Sequence, residues 1–493
     1  MNRLNKHITG KKVRPIKVIQ FGEGNFLRGF VDYMIDIANE QGKFDGDIVM
    51  IKPRPNGNLA AFYEQDCQYT VSLRGMVDGE AKVLNRQITS VADVVSCYDE
   101  YEKYMELAEL DTLRFVVSNT TEAGIVFDDT DQFYLKPANS FPGKLTQFLY
   151  RRYTKFQGAR DKGLILLPTE LIDDNGIMLK QCVNQLIDLW NLGIEFKAWV
   201  KDSCVFASTL VDRIVTGYPR ENEQEEWEAL GYEDRIMVTG EPFALWVIES
   251  DKDIQAELPL DQVMAEMSGM DVIFTPDQKP YKQRKVRILN GAHTSFVLAS
   301  FLCGNDIVLE SMQDEDIHKF IQKTIYQEVI PTLTLPREEL ESFAAAVEAR
   351  FENPYVKHAL LAISLNSVSK WRARCMPSLL SYVEQFGMLP ACLTFSLAAL
   401  MAFYSSTEMR EGKLIGYRNG EVYRISDDAA VLEFFATYSA KNTEEFVSTF
   451  LSNESFFGQD LAKIPGLKDT VVLYLDDIKA NGMREALCRI SLK

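Results

Sequence analysis

The stretch Ile16 to Phe30, IKVIQFGEGNFLRGF, changes its period at one glycine, and that change decides the fold class. Ile16 to Phe21 is a short apolar run rich in β-branched residues, which predicts a strand ending at Gly22. From Asn25 onward the apolar positions are Phe26, Phe30, Met34 and Ile37, the spacing of one helical face. Between the two, Gly22 and Gly24 flank a single residue, and Gly29 completes G-x-G-x4-G in place of the usual G-x-G-x-x-G. Glycines here let the backbone turn tightly and let a pyrophosphate approach the first helical N–H groups. A plain strand–turn–helix uses glycine in the same way, so the motif takes its meaning from the strand and helix around it. Phe21, Gly22, Glu23, Gly24, Asn25 and Phe26 are therefore the candidate dinucleotide cradle.

Working outward, further strand-like runs lie at Ile48 to Ile51, Arg114 to Ser118 and Gly163 to Leu167, with helical stretches such as Lys144 to Phe156 and Met178 to Trp190 among them. Alternating strands and helices, with strands apolar throughout, predict a parallel sheet covered on both faces. After about Asp271 strand-like runs become scarce. Helical patterns take over at Asp314 to Ile330, Arg337 to Phe351, Ser378 to Phe386 and Ala391 to Tyr404, punctuated by prolines at 331, 336, 354, 377 and 390. The expected organisation is an α/β domain over 1–275 and a mostly α-helical domain over 276–493, joined near the polar stretch Thr275 to Pro280.

Composition narrows the function classes. At 493 residues, 46% hydrophobic and 25% charged, the chain is ordinary globular material of two or three domains. A net charge of −18 disfavours nucleic acid and anionic lipid as partners, and requires a local cationic site for any small anion. The eight cysteines include no CxxC, which fits core thiols of a reducing compartment. The basic N-terminus lacks an apolar signal core, and the longest apolar stretch, Ala391 to Tyr404, is too short to span a bilayer, so a cytoplasmic location is expected. With four histidines and no His–carboxylate metal spacing, no metal site is expected.

Four constellations carry chemistry. Beyond the glycine turn, VVSNTTEAG (116–124) puts Ser118, Asn119 and Thr120 at the carboxyl edge of the sheet, where open α/β sheets bind ligands; an N-capped turn would use the same residues. KQRKVRILNGAH (282–293) contains Lys285, Asn290 and His293 as K-x4-N-x2-H. Asn290 and His293 share one helical face, with Lys285 read as lying just before that helix. A lysine desolvated among Lys282, Arg284 and Arg287 has its pKa drawn down toward one useful for proton transfer to an alkoxide, with Asn290 and His293 holding the oxygen. A basic surface loop beside a core histidine is the plainer alternative. Finally, NPYVKHALLAISLNSVSKWRAR (353–374) repeats His358, Lys370, Arg372 and Arg374 on a helical pattern that could receive a carboxylate or simply face solvent, the latter favoured for Arg374. At the end of the second strand Lys52 and Arg54 stand where NAD enzymes carry an acid; they favour NADP or are solvated loop charges.

At these residues the chain resembles the mannitol dehydrogenase family of long-chain polyol dehydrogenases. The resemblance runs over nearly the whole chain, through QFGEGNFLRGFVDY (20–33), SNTTEAGI (118–125), TLVDRIVTGYPR (209–220), KPYKQRKVRILNGAH (279–293) and FENPYVKH (351–358). It implies a Rossmann-type first domain, a helical second domain and an active site between them. It further implies Lys285 as general acid/base, Asn290 and His293 on the reacting oxygen, Asp212 lining the pocket, and Lys370 on the substrate chain. Two positions depart from the polyol members. Glu170 and Leu171 stand where an acid and a substrate-contacting asparagine are expected, and Ala362 replaces an arginine eight residues before Lys370. The departures and the surrounding context point to the family's uronate enzymes, and so to NAD as cofactor and a small anionic sugar acid as substrate.

Overall fold

In the computed structural model, which describes residues 1–491, the opening apolar run is strand β1 (Ile16–Phe21). It is followed by β2 (Asp47–Lys52), the hairpin β3 (Tyr69–Val77) and β4 (Glu80–Ile88), then β5 (Val91–Ser96), β6 (Phe115–Ser118), β7 (Ile165–Pro168) and β8 (Val205–Phe206). Six of these form one sheet in the order β5-β2-β1-β6-β7-β8, with every neighbouring pair parallel. Phe21 pairs with Ile51 on one side and Ser118 on the other, so the chain leaves β1 at the point where the strand order reverses. That reversal opens a crevice at the carboxyl edge, because the crossovers on either side run away from each other. Successive residues serve opposite faces: Val18, Ile48 and Met50 join one apolar core, while Ile19, Val49 and Ile51 join the other. This is a Rossmann-type sheet.

The helix after β1 is divided. Asn25–Gly29 and Val31–Glu40 meet at Phe30, whose φ of −125° and ψ of −78° are not helical. Phe30 occupies this break because its ring stacks on Phe26 at 4.9 Å and lies 5.5 Å from Trp246. The segment past β8 also carries strands that its sequence does not announce. β9 (Ser208–Asp212), β10 (Val215–Gly217), β11 (Val238–Gly240), β12 (Ala244–Glu249) and β13 (Met270–Thr275) build two small sheets, β10-β11-β3-β4 and β13-β12-β9. Two of them are only three residues long, below the length at which hydrophobic alternation can be read.

Internal contacts divide the chain into Met1–Gln278 and a second unit beginning at Lys279. The second unit is mostly helical. Arg337–Phe351 and Ala391–Tyr404 have the limits their periodicity predicts, each starting just after a proline. A three-stranded meander, β14 (Met409–Arg410), β15 (Lys413–Arg418) and β16 (Glu421–Ile425), interrupts the helices. The 25-residue helical run Lys279–Cys303 is apolar enough to cross a bilayer on length and composition, but much of it is buried, and its later turns pack on Ala391–Tyr404.

Candidate active site

In the first unit the glycine turn is built by strain that only glycine tolerates. Gly22 has φ +127°, and a Cβ there would stand 3.3 Å from the Asn119 carbonyl oxygen. At Gly24, by contrast, a Cβ would meet nothing within 4 Å, which leaves that backbone open to a ligand. A cavity of about 790 Å³ lies over the turn, lined by residues 22–26, 53–54, 119–121 and 139–141 among others. Of the predicted cradle, Phe21 does not line it: its ring is buried against Phe141 at 5.1 Å, because strand alternation turns it into the core. Gly29 serves packing, since a Cβ would come within 3.2 Å of Val215 and 3.3 Å of Val238.

Beneath the turn lies a buried polar network that sequence reasoning missed. Gln20 Nε2 donates to the Gly22 carbonyl at 3.1 Å, and Arg28 Nε donates to the Glu23 carbonyl at 3.0 Å. Tyr69 donates to Asp32 Oδ2 at 2.6 Å. Burial raises the Asp32 carboxyl to about 7, against the opposing pull of Tyr69 and Arg28. The available signal was an arginine and an aspartate inside an otherwise apolar helical stretch.

Two sequence expectations change here. Lys52 is buried; its Nζ donates to the Gly57 carbonyl at 3.1 Å and pairs with Asp99 at 3.6 Å, so it ties down a loop and leaves Arg54 as the exposed cation at the cavity. Glu170 is also turned inward: it accepts from Ser118 Oγ at 3.1 Å and from both the backbone N and Oγ1 of Thr120 at 2.9 Å. Its carboxylate locks the Asn119–Thr120 loop, rather than facing a substrate, and burial raises its pKa. Asn119 in turn donates to Thr169 Oγ1 at 2.9 Å. Asp212 ends β9 opposite Leu245 and is half-buried.

In the second unit Lys285 is not before the helix but inside it. Lys279–Arg284 runs into a π-helical turn, Lys285–Asn290, and on into Gly291–Cys303. In a π turn residue i bonds to i+5, so residues five apart, as Lys285 and Asn290 are, lie nearer to one face than they would on an α-helix. Of the cations expected around Lys285, Arg284 is buried and committed to Glu339 at 2.7 Å. One turn on, the His293 ring lies 4.3 Å from Phe351 and 5.4 Å from His358, and its buried Nε2 has no hydrogen-bond partner among the described residues. Burial, then His358, Arg350, Arg374 and Lys370, hold its pKa well below the ordinary histidine value. It is a neutral imidazole at pH 7.

The helix Ser367–Arg374 carries Lys370 and Arg374 four apart on one face. That face meets Gly291, where a Cβ would stand 3.3 Å from the Arg374 carbonyl oxygen. Arg374 Nη1 reaches Thr294 Oγ1 at 3.4 Å. Lys370 Nζ donates to the Ile363 carbonyl at 2.9 Å, and burial followed by Arg374 lowers its pKa. Arg372 is exposed, with its guanidinium beside Gly458, so the structure separates it from this group. Helical geometry gives the reason: two residues apart is the opposite face. Arg350, absent from the sequence reading, joins the group instead.

Comparison with known proteins follows the same division. Residues 16–262 match the mannitol dehydrogenase Rossmann domain and residues 277–479 the mannitol dehydrogenase C-terminal domain. Altronate oxidoreductases of Enterobacter sp. (strain 638) and Escherichia coli are each 44% identical over 494 residues, covering 99% of both chains. Two solved structures share the fold. Pseudomonas fluorescens mannitol 2-dehydrogenase, in a ternary complex with NAD and D-mannitol, has a TM-score of 0.65 at 21% identity over 100% of both chains. A D-sorbitol dehydrogenase has 0.78 at 18% identity, over 98% of this chain and 100% of the other.

Proposed function

From the premise that the chain belongs to the mannitol dehydrogenase family, we propose that it is an NAD-dependent oxidoreductase that interconverts tagaturonate and altronate. The observation that carries the reading is 44% identity to altronate oxidoreductases along 99% of both chains.

The first unit fits a dinucleotide. The left-handed turn at Gly22, the open backbone at Gly24 and the cavity over them stand at the reversal of a parallel sheet. Asn119 and Thr120, fixed from behind by Thr169 and Glu170, would border it. With Lys52 committed to its own loop, the case for a 2′-phosphate rests on Arg54 alone, which favours NAD. The nicotinamide, when bound, supplies the hydride that forms the new C–H bond at the keto carbon.

The second unit supplies the proton chemistry. As the C–O π electrons move onto oxygen, the Lys285 ammonium gives that oxygen a proton; in the oxidative direction neutral Lys285 removes it. Asn290, at the far end of the same π turn, and neutral His293 would bind the reacting oxygen by dipole, without a second charge competing with the ammonium. Asp212 and Lys370 are the candidate contacts to the hydroxyls.

Rates with NADH and NADPH on tagaturonate, fructuronate and fructose test this reading. Tagaturonate with NADH is expected to be fastest, and a preference for fructose overturns it. Lys285→Ala is expected to cut kcat at least 1,000-fold, in keeping with loss of an acid–base group, while NADH affinity stays within about twofold. Near-normal turnover in that variant discards the assignment.

A further inference from the structure

The large buried arginines of this chain are each tied to acceptors or to a carboxylate. Arg152 donates to four backbone carbonyls, Arg213 to three, and Arg284 pairs with Glu339. Arg374 is different. It is half-buried, burial lowers its pKa, and among the described residues no carboxylate stands close enough to offset that and its one side-chain hydrogen bond is the 3.4 Å contact to Thr294 Oγ1. Lys370 lies on the same helical face, and its ammonium is held by a neutral carbonyl. His358 stands across the His293 ring at 5.4 Å, and His293 Nε2 is itself without a partner among the described residues. A chain of net charge −18 has thus gathered cations around one imidazole, at the cost of their hydration.

Such an arrangement is unfavourable until an anion enters. A guanidinium with most of its donors unused binds a carboxylate through two parallel hydrogen bonds, a geometry that an ammonium cannot match. We propose that Arg374, supported by Lys370 and His358, forms an anion subsite that receives the substrate carboxylate and makes Arg374 the residue that selects uronates over neutral ketoses. This rests on the uronate reading above and adds the group that enforces it. The other arginine of this helix, Arg372, lies beside Gly458, so Arg374 is the guanidinium that the Lys370 face offers.

The test compares tagaturonate with D-tagatose, the same ketose with CH2OH in place of the carboxylate, in the wild-type chain and in Arg374→Ala and Arg374→Lys. Arg374→Ala is expected to lower kcat/KM for tagaturonate about 100-fold, or about 2.7 kcal/mol, while leaving tagatose within about threefold. Arg374→Lys is expected to recover part of the loss. Calorimetry of altronate binding should show the same loss of affinity, with NADH affinity and the thermal midpoint close to wild type. Equal losses on both ketoses, or none on either, overturn the subsite. Failure of the wild-type chain to reduce any hexuronate sinks the functional reading instead. A wild type that prefers tagaturonate and an Arg374→Ala variant that keeps that preference leave the function standing and remove Arg374 from it.

Discussion

His293 and Asp32 show how burial sets the behaviour of single residues in opposite directions. The folded state keeps His293 neutral, so acid is bound more readily by the unfolded chain. Stability from this site is present above the ordinary histidine pKa and is lost as pH falls below about 6.5. A His293→Asn variant should therefore show a flatter fall in thermal midpoint between pH 6.5 and 5 than the wild type. An identical slope in both chains would place the titration elsewhere. Asp32 runs the other way. Its carboxyl is raised to about 7, so the folded chain holds a proton that the unfolded chain releases near 4. That stabilisation is present at low pH and is lost as pH rises toward 7, at up to about 1.4 kcal/mol per pH unit. Asp32→Asn, which keeps a neutral group against Tyr69, is expected to gain on the wild type across that window in denaturant titrations at pH 5 and 7.5. No relative gain would mean that Asp32 is ionised throughout.

Elements carry the next level of control. The turn after β1 depends on Gly22, where an added methyl meets both a φ of +127° and the Asn119 carbonyl at 3.3 Å. Gly22→Ala should cost about 1–3 kcal/mol of stability and weaken NADH binding at least tenfold by fluorescence titration. Unchanged affinity would remove the turn from the cofactor site. The helix Phe141–Lys155 starts on a side-chain cap, Ser140 Oγ accepting from Gly143 N at 2.9 Å, and Asp131 accepts from Ser140 N at 2.9 Å. Ser140→Ala should cost about 1 kcal/mol in chemical denaturation. Most long elements were legible in sequence because each buries one periodic face, as the limits of Arg337–Phe351 and Ala391–Tyr404 show. The break at Phe30 and the π turn at Lys285–Asn290 were not legible. Each is settled by what packs against the helix, and the local composition still reads as helix.

For the whole chain, the thiols offer a direct probe. Six of the eight cysteines are buried, and Cys303 and Cys488 are half-buried; all are unpaired. Burial pushes the Cys303 thiol up to about 12 and raises that of Cys488. A thiol-titrating disulfide reagent should therefore label no more than two sites in the native chain at pH 7.5, and all eight in denaturant, with reductant leaving the thermal midpoint unchanged. Rapid native labelling of more than two would show that the core opens.

By itself the sequence determined the parallel sheet, the glycine turn, the helical second half and the family resemblance. Strand–helix alternation, the G-x-G-x4-G spacing and the K-x4-N-x2-H spacing are local properties, each printed within a short stretch of chain. Only the tertiary structure decided which polar groups are free to act. Lys52, which spacing left between a phosphate contact and a loop charge, and Glu170, read as a substrate contact, are consumed by partners 3 to 52 residues away, and Arg372 falls on the wrong face. Arg374, which sequence favoured as a solvated charge, is left half-buried with its donors nearly unused. A side chain's availability depends on what the rest of the chain brings against it, and spacing alone does not contain that.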